Sequence, residues 1–195
     1  MNTNVAVKHR VARTSPSLTQ DQHLGWIHEL LTGSSEALPY RVAGMLLLLY
    51  ARTLVRIVAL QASDVASIDS QLTLRLGKRP VTVPQPFAEL LQTHLENRPN
   101  LRTGAGPDSP WLFPSARAGQ HLHPNTVMDR LRDLGINLLA ARNRALGELV
   151  LEVPPPLVAD VLGYSHQVAF KHADGAAEPR ARYAGQRPRG PRASP

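Results

Sequence analysis

Apolar residues recur at helical spacing along most of this chain and alternate with polar residues over one short stretch. The spacing and the end signals predict helices over 19–33, 40–50, 54–60, 86–95, 124–135, 137–151 and 157–162. Between the third and fourth helices, Leu72, Leu74 and Leu76 alternate with polar residues before a Gly77-Lys78-Arg79 turn, and Val81 and Val83 alternate after it. This period of two around a glycine turn predicts a β-hairpin. The expected fold class is α+β, mostly helical.

The pattern is confined to the middle of the chain. Residues 1–18 have no apolar period and carry Lys8, Arg10 and Arg13, which predicts a disordered basic arm. Gly, Pro, Arg and Ala dominate residues 176–195, which predicts a disordered basic tail. The remaining residues, 19–175, have the length of one domain.

Composition excludes several classes of protein. The longest apolar run, from Val42 to Ala51, is shorter than the roughly 18–20 residues that cross a bilayer, so no membrane span is predicted. The N-terminus lacks the apolar stretch of a signal peptide, which favours a cytoplasmic location. The absence of cysteine excludes disulfides and thiolate zinc sites. His121 and His123 have no third ligand at a suitable spacing, so no metal site is expected. A small-molecule cofactor is not expected either.

Charge points to a polyanionic partner. Lys and Arg total 22 and Asp and Glu total 15, which gives a formal net charge of +7. Nucleic acid is the simplest partner for such a balance. Much of the excess comes from tail arginines, namely Arg180, Arg182, Arg187, Arg189 and Arg192. A solvated basic tail is therefore an equal alternative.

One arginine interrupts the apolar face of a predicted helix. On the helix 137–151, Arg142 falls on the stripe of Leu138, Ala145 and Leu149, whereas Arg144 points the opposite way. A buried arginine without a partner is costly, so Arg142 is expected to meet a carboxylate, a group of carbonyls, or an anion such as phosphate. A structural ion pair is the competing interpretation.

Several segments, in order, carry a resemblance to a known family. They are LTQDQHLGWIHELL, MLLLLYARTLVRIVALQASDV, LTLRLGKRPVTVP, WLFPS, GQHLHPNTVMDRLRDLGI and VADVLGYSHQ. Between Leu18 and His172 the chain resembles the catalytic domain of tyrosine recombinases, the phage integrase family. The resemblance does not extend to the N-terminal DNA-binding domain of such enzymes. It implies a mostly helical fold with a small hairpin, and double-stranded DNA as partner, with a second recombinase subunit as a further candidate.

The resemblance also implies site residues. In that family a tyrosine attacks a phosphodiester while arginines, a lysine and histidines stabilise the transition state. The candidates here, as phosphate-contacting or vestigial residues, are Arg142 in the second box, Lys78 in the hairpin, Arg52 and Arg56 near the first box, and His166 after the third.

Other family positions are changed. Thr53 stands for the first arginine, Leu139 for the second-box histidine, Tyr164 for the third-box histidine and Ala173 for the nucleophile. Tyr164 and Tyr183 are the remaining nearby hydroxyls, and neither is at the nucleophile position. We therefore expect a DNA-binding protein of DNA recombination or integration whose strand cleavage is impaired or lost. The alternatives are an active recombinase with a rearranged site and a non-enzymatic domain that binds another protein.

Overall fold

The computed structural model describes residues 18–98, 109–117 and 119–173. Residues 1–17 of the predicted arm, the predicted tail 176–195 and Tyr183 lie outside the described residues. Among those that are described, no helix is long and apolar enough to cross a membrane.

Helices dominate the described chain and one small sheet lies among them, as the sequence predicts. In order the elements are α1 (Gln20–Thr32), α2 (Leu38–Tyr50), α3 (Leu54–Val58), a 3₁₀ turn (Ala62–Asp64), β1 (Val65–Ile68), β2 (Gln71–Arg75), β3 (Pro80–Thr82), α4 (Gln85–Glu96), α5 (Pro124–Asp133), α6 (Leu138–Glu152) and α7 (Pro155–Leu162). A further helix, α8, covers 166–173. The α+β, mostly helical class is confirmed. Helix α8 and strand β1 are absent from the sequence prediction.

Helix α2 forms the centre of the domain. It is apolar on nearly every side, and it packs against α1, α3, α4, α5 and α6. Gly44 leaves room for two of these neighbours, since a Cβ there would lie 2.6 Å from Leu30 of α1 and 3.0 Å from Leu131 of α5. A helix buried on all sides holds both of its ends in fixed positions, and its C-terminal end opens onto the site described below.

The sheet is antiparallel, in the order β1-β2-β3. Leu74 in the central strand is buried and pairs with Val65 on one side and Val81 on the other. The turn after β2 touches the end of α7: a Cβ on Gly77 would lie 2.6 Å from Gly163 N and from the Val161 carbonyl oxygen. Only glycine allows this approach, and it brings the hairpin against the α7–α8 junction.

Prolines and a glycine set the ends of α7. The helix begins at Pro155, two residues before the predicted start, because proline is accepted at the first positions of a helix. It ends at Gly163, whose φ of 65° lies in the left-handed region. The chain then turns directly into α8, so residues 163–165 form a tight junction between two helices.

Candidate functional site

Three segments that are distant in sequence meet at a cleft of about 300 Å³. They are the α2–α3 junction, the first half of α6 and the α7–α8 junction. We call this space the arginine cleft; its lining residues are Arg52, Thr53, Arg56, Arg142, Gly163, Tyr164 and Ser165. Four sequence candidates, Arg52, Arg56, Arg142 and Tyr164, are thus brought together.

The end of α2 gives the cleft its central acceptor. Ala51 is the C-cap of α2 and adopts a left-handed conformation, with φ 54° and ψ 18°. Its carbonyl oxygen accepts the hydroxyl hydrogen bond of Tyr164 and an Nε–H bond of Arg142 at 3.0 Å. A carbonyl oxygen has two lone pairs, so both donors are accommodated.

Arg52 is largely buried, with 7% of its surface exposed. Its two terminal nitrogens donate to the carbonyls of Leu162, at the end of α7, and of Leu76, after β2. Burial lowers the pKa of Arg52, and the nearby charge of Arg56 lowers it further. Because both ends of its guanidinium fork are bound to backbone, Arg52 holds the hairpin and α7 together.

Arg56 lies at the edge of the same junction and is exposed. One of its terminal nitrogens donates to the Gly163 carbonyl at 3.0 Å. Arg52 and Arg56 therefore both bind carbonyls at the C-terminal end of α7, where cations interact favourably with the helix dipole.

Arg142 is half-buried and meets a backbone carbonyl, one of the partners that the sequence predicts for it. Its Nε lies 3.4 Å from the Tyr164 hydroxyl, and its Cζ lies 5.4 Å from the centroid of that ring. Arg144 does point away from the cleft, yet it is not simply solvated: it pairs with Glu148 at 2.8 Å and donates to the Leu18 carbonyl at 3.2 Å.

Two sequence candidates lie outside the lining of the cleft. The Nζ of Lys78 is 2.8 Å from Asp160 Oδ1, and the hydrogen bond from Lys78 lowers the pKa of the Asp160 carboxyl. The Lys78 side chain is 77% exposed. His166 is exposed at the start of α8. Tyr183 lies beyond the described residues.

Sequence reasoning missed two groups beside the cleft. Ser165 caps α8, since its carbonyl accepts the N–H groups of Val168 and Ala169 at 3.1 and 3.3 Å, and it also lines the cleft. A serine directly before a helix is a start signal that was available in the sequence. His172 is half-buried on α8; burial lowers its pKa, and the charge of Arg142 lowers it further.

No carboxylate of the described residues forms an ion pair with an arginine of the cleft, although the charge of Asp64 partly offsets that of Arg52 from a longer distance. The ion pairs of the described residues lie elsewhere and join His23 to Glu148, Lys78 to Asp160 and Arg144 to Glu148. The arginines of the cleft bind backbone carbonyls, which carry no formal negative charge to balance theirs. Such a site is suited to an anion with several oxygens.

Comparison with known proteins finds a likeness to a solved structure. No family model matches the chain, and no curated protein matches it by sequence. The crystal structure of XerA recombinase superposes with a TM-score of 0.62 at 20% sequence identity, over 95% of this chain and 68% of that one. The chain therefore has the fold of a recombinase catalytic domain, which confirms the fold implied by its resemblance to the tyrosine recombinases.

Proposed function

We propose that this protein binds double-stranded DNA by holding a backbone phosphate in the arginine cleft, and that it does not cut the strand. The observation that carries the proposal is the convergence of Arg52, Arg56 and Arg142 on one cleft in which none of them is ion-paired with a carboxylate of the described residues. The recombinase fold supports DNA as the polyanion.

The donors left over suit a phosphate. Among the described residues, the two terminal nitrogens of Arg142 have no hydrogen-bond partner, and Arg56 uses one terminal nitrogen only. Two guanidinium groups can therefore present N–H forks to non-bridging phosphate oxygens. An anion in the cleft would also offset the repulsion between Arg52 and Arg56, which adds to the effect of burial in lowering the pKa of Arg52.

Lost cleavage is supported by the state of the nearby hydroxyl. The Tyr164 hydroxyl donates to the Ala51 carbonyl and accepts from Arg142, so it is engaged with the protein. Ala173 occupies the position at which the family resemblance expects the nucleophile. Lys78, the family-like hairpin lysine, is paired with Asp160. Among the described residues, the cleft therefore has no tyrosine hydroxyl free of a protein partner, and the hairpin lysine is bound to a carboxylate.

Binding is tested by fluorescence anisotropy with a short labelled duplex between about 50 and about 200 mM salt. Each phosphate contact contributes about −0.9 to the slope of log affinity against log salt. Arg142→Ala and Arg56→Ala should each make the slope shallower by about that amount. Arg132→Ala, which removes an exposed arginine of α5 outside the cleft, is the matched control and should leave the slope nearly unchanged.

The basic tail is tested in the full-length chain by replacing its arginines with glutamine. If that variant loses all binding while Arg142→Ala has no effect, the tail binds DNA and the cleft does not. If the protein binds a duplex and neither change weakens that binding, the proposal is wrong. It is also wrong if no duplex binds at low salt, and the protein-interaction alternative then gains support.

Cleavage is tested on a nicked suicide duplex followed by a denaturing gel. We expect no covalent protein–DNA adduct. An adduct that disappears in Tyr164→Phe or in Tyr183→Phe would identify that residue as a nucleophile and establish the active-recombinase alternative.

A further inference from the structure

We propose that Tyr164 is a positioning residue for Arg142: its ring and hydroxyl hold the guanidinium so that the two terminal nitrogens stay available to a phosphate. This inference rests on the function proposed above and assigns a role to a residue that departs from the family pattern. It is built on contacts among Tyr164, Arg142 and Ala51 alone.

The Ala51 carbonyl fixes one edge of the Arg142 guanidinium. Its oxygen accepts from Nε at 3.0 Å, which occupies the N–H of the guanidinium nearest the helix. The planar guanidinium then has its other edge, with both terminal nitrogens, directed away from this acceptor. Those nitrogens make no hydrogen bond within residues 18–98, 109–117 and 119–173.

The ring of Tyr164 restricts rotation about that anchor. Its centroid lies 5.4 Å from Arg142 Cζ, within the distance at which a cation interacts with an aromatic face. The Tyr164 hydroxyl bonds to the same Ala51 oxygen, so the ring cannot turn away from the guanidinium without breaking that bond. One carbonyl thereby fixes the arginine and the ring relative to each other.

Tyr164 is itself held by rigid structure. It follows the α7 cap Gly163, and its N–H donates to the Ala159 carbonyl at 3.0 Å. Its ring packs at the margin of the hydrophobic core. A side chain anchored in this way can transmit a fixed orientation to Arg142, because the free arginine would otherwise sample many rotamers.

The first test needs no DNA. In protein with ¹⁵N-labelled arginine, hydrogen exchange at Arg142 Nε reports the bond to Ala51. Tyr164→Leu and Tyr164→Met should raise the exchange rate by about threefold or more. Tyr164→Phe keeps the ring but loses the hydroxyl that anchors it, so it should raise the rate by less than either ring-free variant. The test needs only one of the two ring-free variants to fold, and far-UV circular dichroism shows which of them does. Equal rates in wild type and in a folded ring-free variant would refute the positioning role.

The second test is a double-mutant cycle in duplex binding. Tyr164→Leu should weaken binding by about threefold to tenfold in the wild-type background and should have no further effect once Arg142→Ala is present. Equal losses in both backgrounds would mean that Tyr164 acts independently of Arg142, which contradicts the inference. If wild type binds no duplex, the proposed function fails by itself, and the exchange experiment still decides whether Tyr164 orders Arg142.

Discussion

Removing the guanidinium of Arg52 should destabilise the whole domain, although the residue lines the candidate site. Arg52→Met keeps an unbranched side chain of related length but leaves the carbonyls of Leu162 and Leu76 without their donor. The change therefore removes one of the links between the end of α7 and the hairpin. Its effect is best measured as the free energy of unfolding.

The magnitude follows from two opposing effects. A hydrogen bond to a charged group contributes about 1.5–3 kcal/mol, and a buried acceptor left without a donor costs about 1–3 kcal/mol. Against this, the variant no longer buries a cation, and it removes the repulsion between Arg52 and Arg56. Because two backbone carbonyls lose their donor at once, we expect a net loss of about 3 kcal/mol.

Urea unfolding followed by circular dichroism at neutral pH measures the loss. Arg56→Met is the matched control: that residue is exposed and donates one bond to the same junction, so its loss should stay below about 1 kcal/mol. Arg52→Lys should lie between wild type and Arg52→Met, since a lysine can reach one carbonyl but not both. If Arg52→Met lowers the free energy of unfolding no more than Arg56→Met does, the buried guanidinium of Arg52 does not hold α7 to the hairpin.

Three further outcomes are expected. Gly77→Ala should destabilise the fold by about 1–3 kcal/mol because its Cβ meets backbone atoms, whereas Gly147→Ala, with open space around its Cβ, should leave stability unchanged or improve it, both by urea unfolding. Burial lowers the pKa of His94 from 6.5 to about 4. As the pH drops through that range the unfolded state takes up the proton first, so stability should fall by about 3 kcal/mol. His94→Gln should remove this pH dependence from unfolding curves recorded at each pH, and an unchanged dependence would contradict the expectation. Lys78→Ala should raise the pKa of the Asp160 carboxyl toward its ordinary value in a ¹³C NMR titration, and an unmoved titration would mean that the ion pair does not form in solution.

Elements with a strong apolar period were predictable, and those defined by pairing or by caps were not. Helix α2 combines an apolar surface with a proline near its start, and both signals are in the sequence. Strand β1 has no buried residue and shows no alternation, because its conformation comes from pairing with β2. Helix α8 carries polar residues at His166, Gln167, Lys171 and His172, so the described part of it shows no clear apolar period, although Ser165 precedes it.

The candidate site was predictable in its side chains and not in their partners. Helical geometry turns Arg142 inward, and the family resemblance singles out Arg52, Arg56 and Tyr164. Their acceptors are carbonyls of Ala51, Leu76, Leu162 and Gly163. Every residue has a carbonyl, so residue type cannot reveal which one an arginine will bind. The same limit applies to Lys78, whose partner Asp160 lies 82 residues away.

The shared carbonyl of Ala51 has a consequence for protein synthesis. Its donors are 91 and 113 residues downstream, and the carbonyl bonds of Arg52 to α7 and of Arg56 to Gly163 span 110 and 107 residues. Such long loops close late, after the local helices have formed. A ribosome-bound chain that has not yet extruded the α7–α8 junction therefore has α2 and the hairpin but no cleft. Arrested nascent chains whose α7–α8 junction is still inside the exit tunnel should fail to retain duplex DNA, and those with a C-terminal linker that brings α8 outside the tunnel should retain it.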